Sequence, residues 1–179
     1  MSNAFYTIGH STRPLAEFVS LLQNAAVNLV VDVRTVPRSR TNPQYNHDAL
    51  PQSLAPIPIG YEHIAALGGL RGKDRSVPPS VNGFWQNDSF HNYADYAMGS
   101  RFRAGLDRLR ELGRTQCCAV MCAEALWWRC HRRMIADADL SRGIPVRHIM
   151  SPTVAKMHEM TAVAVVKRRG RQPVITYPG

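Results

Sequence analysis

The chain has 179 residues and a formal net charge of +9, from 22 basic and 13 acidic side chains, and it holds four cysteines. A chain this long can bury roughly 70% of its unfolded surface, so no disulfide or metal staple is required. It lacks an apolar run of membrane-spanning length and a basic-then-apolar leader, so neither a membrane protein nor an exported one is expected.

Phe5, Tyr6, Thr7 and Ile8 read as a short strand broken by Gly9, and after Pro14 the residues Leu15, Phe18, Val19, Leu22 and Ala26 recur at helical spacing. Residues 29–33 form a continuous β-branched run of the kind buried on both faces of a parallel sheet, ending in Asp32 and Arg34. From about residue 35 to 83, seven prolines together with Gly68, Gly69 and Gly72 interrupt regular patterning. A short helix is expected at 47–54 and an edge strand at 60–64 inside this insertion. Loop-rich segments of such length are usually functional, and this one is read as a cover over a site. Helical patterning returns at 93–98 and 102–113, and residues 117–121 form another buried strand. A helix is expected over 126–140, a strand over 145–149, a helix over 158–166 and a last strand over 174–177. Strands alternating with helices imply an α/β fold: a mainly parallel sheet with helices on both faces, in one domain spanning 1–179.

Cys117, Cys118, Cys122 and Cys130 crowd into one stretch instead of spreading over loops to be cross-linked, which implies reduced thiols and a cytoplasmic setting. The basic side chains comprise 19 arginines against 3 lysines. Guanidinium is the better fork for phosphate or carboxylate, so an anionic ligand or partner is favoured; the alternative is that the arginines coat a solvated surface.

In an open α/β sheet, ligands bind outside the carboxyl ends of the strands, where the next helix N-termini direct positive dipoles. Gly9-His10-Ser11, Asp32-Val33-Arg34 and Cys122-Ala123-Glu124 all begin at such ends. Gly9 would let backbone approach a ligand and Ser11 could donate to it, or the segment is a plain helix start. Cys122, placed between a buried strand and a helix, is the candidate nucleophile, because nearby N–H groups favour the thiolate; the alternative is an inert core cysteine. Glu124 could serve as acid or base beside it, or only complement the helix dipole. Cys130, His131 and Arg132 follow on the same expected helix. A zinc site of Cys122, Cys130, His131 and a distant fourth ligand lacks paired Cys-x-x-Cys or His-x-x-x-His spacing, and no motif names a cofactor.

Taken in order, Thr7-Ile8-Gly9-His10-Ser11, Asp32-Val33-Arg34 with Pro37 and Ser39, Leu67-Gly68-Gly69 with Arg71, Met121-Cys122-Ala123-Glu124, Cys130-His131-Arg132 and His148-Ile149 resemble the bacterial domain-of-unknown-function family 488 over nearly the whole chain. That resemblance implies a compact α/β domain and no established activity. A weaker likeness joins Asp32-Val33-Arg34 and Cys122 to rhodanese-type sulfurtransferases. It departs at the loop after Cys122, where residues 123–128 hold no glycine and Arg129 stands one position beyond a Cys-x5-Arg cradle.

Two functional expectations follow. One is an enzyme for a small phosphate-bearing or nucleotide-like ligand, with Arg34, Arg71 and Arg132 as anion clamps, Glu124 or His131 as acid or base, and Cys122 as nucleophile. The other is a nucleic-acid-binding module that uses Trp85, Trp127, Trp128 and the basic run at 167–171. The first expects the named groups in one pocket, and the second expects a broad basic stripe.

Overall fold

The computed structural model describes residues 4–170 and 172–179. Apolar runs at β1 (Phe5–Gly9), β2 (Leu29–Asp32) and β4 (Cys118–Cys122) are buried almost throughout, as expected for strands covered on both faces. With β3 (Gly60–His63), β5 (Val146–Ile149) and β6 (Ala155–Met157) they form one six-stranded sheet in the order β3-β2-β4-β1-β5-β6. Every neighbouring pair is parallel except β5 with β6. The chain is therefore an α/β fold with a mainly parallel sheet, as its sequence implied.

Period-2 alternation divides each central strand between two cores. Ile8, Val30, Ala119 and Met121 face α1 (Leu15–Asn24) and the short α2 (Leu50–Leu54). Phe5, Val31, Val120 and Cys122 face the opposite layer, built from α3 (Asp88–Tyr96), α4 (Ser100–Gly113) and α5 (Arg132–Leu140). Residues from β1 onward lead to α1 on one face, while residues from β4 lead to α5 on the other. Because β1 and β4 are neighbours, their carboxyl ends part around a crevice, the position at which this architecture usually holds ligands.

Two expected helices differ from the structure. The helix expected over 126–140 is broken: a single 3-10 turn at Trp127–Arg129 is followed by extended Cys130 (φ −130°, ψ 149°), and α5 begins at Arg132. Trp127 stacks on the His148 ring at 4.2 Å and the Cys130 sulfur turns toward Cys122, so both residues are drawn out of a continuous helix by partners distant in the chain. The helix expected over 158–166 is absent. His158 and the Thr161 N–H both bind the Asp137 carboxylate on α5, which holds this segment in an irregular path. The last strand expected over 174–177 is present as β8 (Gln172–Thr176), which pairs with β7 (Val165–Arg169) in a separate antiparallel hairpin.

Candidate functional site

The end of β4 and the start of α5 bring two thiols together. Cys122 Sγ lies 2.7 Å from Cys130 Sγ, and both cysteines are free. The guanidinium of Arg132, itself 1% exposed, reaches back so that Nη1 donates to Cys122 Sγ at 2.6 Å and to the Glu124 carbonyl at 2.7 Å, while Nη2 donates to the Ala125 carbonyl at 3.1 Å. The Arg132 backbone N–H, in the first turn of α5, points at Cys130 Sγ from 3.4 Å. His131 Nε2 donates to the Val33 carbonyl at 2.9 Å, which fixes the tautomer and leaves Nδ1 as an acceptor 3.5 Å from Cys130 Sγ. Its ring packs edge-on against Tyr93.

Two thiols this close titrate as one unit. Burial, the hydrogen bond with Cys130 and the nearness of that sulfur push Cys122 well up. Burial alone would raise Cys130 as well, but the Cys122 hydrogen bond, the Arg132 charge and the Arg132 N–H outweigh it and bring Cys130 below its ordinary value. The pair thus holds a single proton between two sulfurs readily, with the negative charge held by a buried guanidinium. Burial lowers His131, keeping the imidazole neutral and able to accept a proton. Cys118 shows the contrast, since burial in the core pushes its thiol up to about 12.

Beside the thiols stands a second buried assembly. Residues i and i+2 of a strand end face the same side, so Arg34 folds back on Asp32: Nε donates to Oδ1 at 2.9 Å and Nη2 to Oδ2 at 2.7 Å. Arg34 Nη2 also donates to the Tyr45 carbonyl, and the Tyr61 hydroxyl donates to Asp32 Oδ2. Burial opposes the Arg34 charge, but the Asp32 carboxylate outweighs it and the guanidinium stays protonated. His10 stacks on Tyr45 at 4.3 Å, donates from Nδ1 to the Ser11 carbonyl and receives Arg34 Nη1 at Nε2, 3.3 Å away. Burial lowers its pKa, so it is neutral.

A pocket of about 400 Å³ opens onto both assemblies; its walls include His10, Arg34, Cys122, Glu124, Cys130 and His131. Of the remaining residues singled out in the sequence, Asp32 lies behind Arg34 and is fully buried, and Arg132 lies against the thiols. Gly9 meets the chain itself: a Cβ there would sit 1.9 Å from the Glu124 carbonyl oxygen, and the N–H groups of His10 and Ser11 bind the Cys122 and Ala123 carbonyls. Ser11 adopts φ +47° in the turn into α1 and does not line the pocket. Arg71 is turned away, donating to the Gly68 and Ala65 carbonyls and lying 3.9 Å over the Tyr96 ring. Glu124 is exposed at the rim, where Oε1 accepts the Leu126 N–H.

The loop-rich segment supplies much of the remaining wall: Thr35, Val36, Arg38, Ser39, Gly69 and Leu70. Gly69 is required by close approach, because a Cβ there would lie 2.6 Å from His131 Nδ1. Arg38 and Arg129 were not identified from sequence, although both are exposed cations on this wall. Arg38 pairs with Asp48 at 3.4 Å, and among the described residues Arg129 makes no ion pair. Trp85 is buried against Phe90 and Tyr177 and Trp127 lies on His148, leaving Trp128 as the most exposed tryptophan at 43%. Of the basic run, Lys167 and Arg168 lie on the β7 strand, and Arg171 lies outside the described residues. Among the described residues no group of three or more His, Cys, Asp or Glu side chains is placed to hold a metal ion, and no helix is long and apolar enough to cross a membrane.

No curated protein and no solved structure matches the chain. One family model does, over residues 14–138, which takes in Asp32, Arg34, Gly68, Gly69, Cys122, Cys130, His131 and Arg132 and leaves Thr7–Ser11 and His148 outside. With well over half its length matched, the chain belongs to the family described as Domain of unknown function DUF488.

Proposed function

We propose that the pocket is the active site of a thiol-dependent enzyme acting on a small anionic molecule, with Cys130 as nucleophile, His131 as its base, Arg132 as the fixed positive charge and Cys122 as a second sulfur. The carrying observation is the pair of sulfurs 2.7 Å apart with the Arg132 guanidinium 2.6 Å from one of them, both cysteines lining the same pocket. Nucleophilic cysteines need a thiolate at neutral pH, supplied by a nearby cation, a helix N-terminus or an oriented base. Cys130 has all three: Arg132, the first turn of α5 and the Nδ1 of His131.

Arg34, Arg71 and Arg132 are each engaged by protein oxygens or sulfur, whereas the exposed Arg129, and Arg38 in its exposed pair with Asp48, are the cations on the pocket wall placed to meet an incoming anion. A cradle of N–H groups around Cys122, as phosphoryl or sulfuryl transfer would use, is not what the following loop offers. The Glu124 and Ala125 carbonyls point at Arg132 instead.

Alkylation by iodoacetamide, followed by peptide mass analysis across a pH series, tests the reading. Cys130 should react at neutral pH with an inflection below the ordinary thiol value of about 8.5, and Arg132→Met, verified as folded by near-UV circular dichroism, should slow it at least tenfold at neutral pH. Reaction of Cys130 only above pH 8.5, or at an unchanged rate in folded Arg132→Met, would overturn it.

A further inference from the structure

We infer that the Cys122–Cys130 pair carries out thiol–disulfide exchange with a small disulfide bearing carboxylates, closing and reopening a disulfide between the two residues at the floor of the pocket. This rests on the thiol reading above and assigns its substrate class and the role of each sulfur.

Distance is the first argument. A disulfide bond spans about 2.05 Å, so sulfurs at 2.7 Å need well under 1 Å of movement to join. Such a neighbour also limits the other reactions open to the site. A persulfide formed on Cys130 would be discharged by Cys122, whose thiolate would attack the Cys130 Sγ itself, form the protein disulfide and expel hydrosulfide; the site is therefore poorly suited to storing transferable sulfur. An acylated or phosphorylated Cys130 gains nothing from a second thiol. Disulfide exchange uses both sulfurs, the first as nucleophile and the second to resolve the mixed disulfide.

The steps balance as follows. The Cys130 thiolate attacks one sulfur of R–S–S–R; the S–S bond breaks, RS⁻ leaves, and Cys130 carries the mixed disulfide. Cys122 then gives up the proton the pair had shared, which ends on a released RS⁻, and its thiolate attacks the Cys130 sulfur. The second RS⁻ departs and takes up from solvent the proton that Cys130 gave up when its thiolate formed. Two protein thiols and one disulfide thus become one protein disulfide and two RSH, and an excess of RSH reverses the sequence. Arg132 suits the resolving step because its Nη1 holds the Cys122 sulfur, stabilising the thiolate that must form there.

The pocket chemistry selects the substrate. About 400 Å³ accommodates one arm of a small disulfide, whereas a folded protein's disulfide would have to enter past the segment that supplies Val36 and Leu70. Arg38 and Arg129 on the wall suit carboxylates, and the Phe90, Val36 and Leu70 side chains suit the apolar part of the arm.

Reduced protein is incubated with oxidised glutathione, which carries carboxylates, or with neutral 2-hydroxyethyl disulfide, and read by intact mass and by released thiol. Wild type should lose two hydrogen atoms and release two thiols per chain. Cys122→Ala and Cys122→Ser should both stop as a glutathione adduct on Cys130, and Cys130→Ala should form no internal disulfide. Arg38→Ala combined with Arg129→Ala should slow the glutathione reaction about fivefold or more and leave the neutral disulfide unaffected. The inference fails if wild type keeps both thiols under either disulfide, or if neither Cys122 variant traps an adduct on Cys130. It loses its substrate class if the double arginine variant slows both disulfides alike. Iodoacetamide reactivity of the same samples separates the two levels: fast alkylation of Cys130 without disulfide formation overturns the exchange alone, whereas slow alkylation overturns the thiol site itself.

Discussion

Acidification should destabilise this fold in part through the buried His148. Thr7 Oγ1 lies 2.6 Å from His148 Nδ1, His148 Nε2 lies 2.9 Å from His158 Nδ1, and His158 Nε2 donates to Asp137 Oδ1 at 2.7 Å, a buried chain of polar contacts. The Tyr177 hydroxyl closes it on Asp137 Oδ2. Burial, then the His158, Arg132 and Lys156 charges, lower His148 from 6.5 to about 3. As pH falls through 6.5 the unfolded chain takes a proton that the native state refuses, so stability is lost from 6.5 downward until the native group titrates. Between pH 7 and 5 the loss is about 2 kcal/mol, a large part of the 5–15 kcal/mol typical of a domain. Asp139 works the other way: burial pushes it from 3.8 up to about 7, so the native state gains a proton first, adding about 2 kcal/mol over the same interval. The informative quantity is therefore the change in urea-unfolding free energy from pH 7 to pH 5, compared between variants. In His148→Asn this change should be about 2 kcal/mol more favourable than in wild type, and in Asp139→Asn about 2 kcal/mol less favourable. If His148→Asn and wild type change in parallel, or if the His148 ring protonates near pH 6.5 by NMR, the reading of a neutral His148 is refuted.

Asp32→Asn removes the carboxylate that forks Arg34 and leaves a buried charge uncompensated; equilibrium unfolding should show a loss of about 3–5 kcal/mol, and a loss below 1 kcal/mol would mean that Arg34 finds water or another partner. Gly9→Ala sets a Cβ against the Glu124 carbonyl, forcing the end of β1 away from the loop that follows Cys122; a destabilisation of about 2 kcal/mol and slower Cys130 alkylation are expected together, and an unaltered alkylation rate would separate Gly9 from the thiol geometry.

Which parts of this molecule could be read from sequence follows from how local the cause is. The runs at β2 and β4 are apolar at every position because helices cover both faces, and two-sided burial leaves its trace in the strand itself. The broken helix before α5 left no such trace. The spacing of Trp127, Cys130 and Met134 satisfies helical periodicity, yet the partners that pull the first two out of helix, His148 and Cys122, lie on other strands. That break changes the site: it puts Cys130, rather than Cys122, ahead of a helix N-terminus, and it lets Arg132 turn back on the Cys122 sulfur. The arginines carry the same lesson. Charge is visible in a sequence, whereas the partner that consumes it is visible only when it is near: Asp32 and Arg34, two apart at a strand end, share a face and could have been paired by that rule, but nothing local ties Arg132 to the Glu124 and Ala125 carbonyls. An arginine at a strand end thus has two competing uses, holding the backbone of the site or holding its ligand. In this chain the buried ones do the first, which is why the cations placed to meet a substrate are the exposed Arg129 and the Arg38 of the exposed pair with Asp48, on irregular segments where no periodicity marks them.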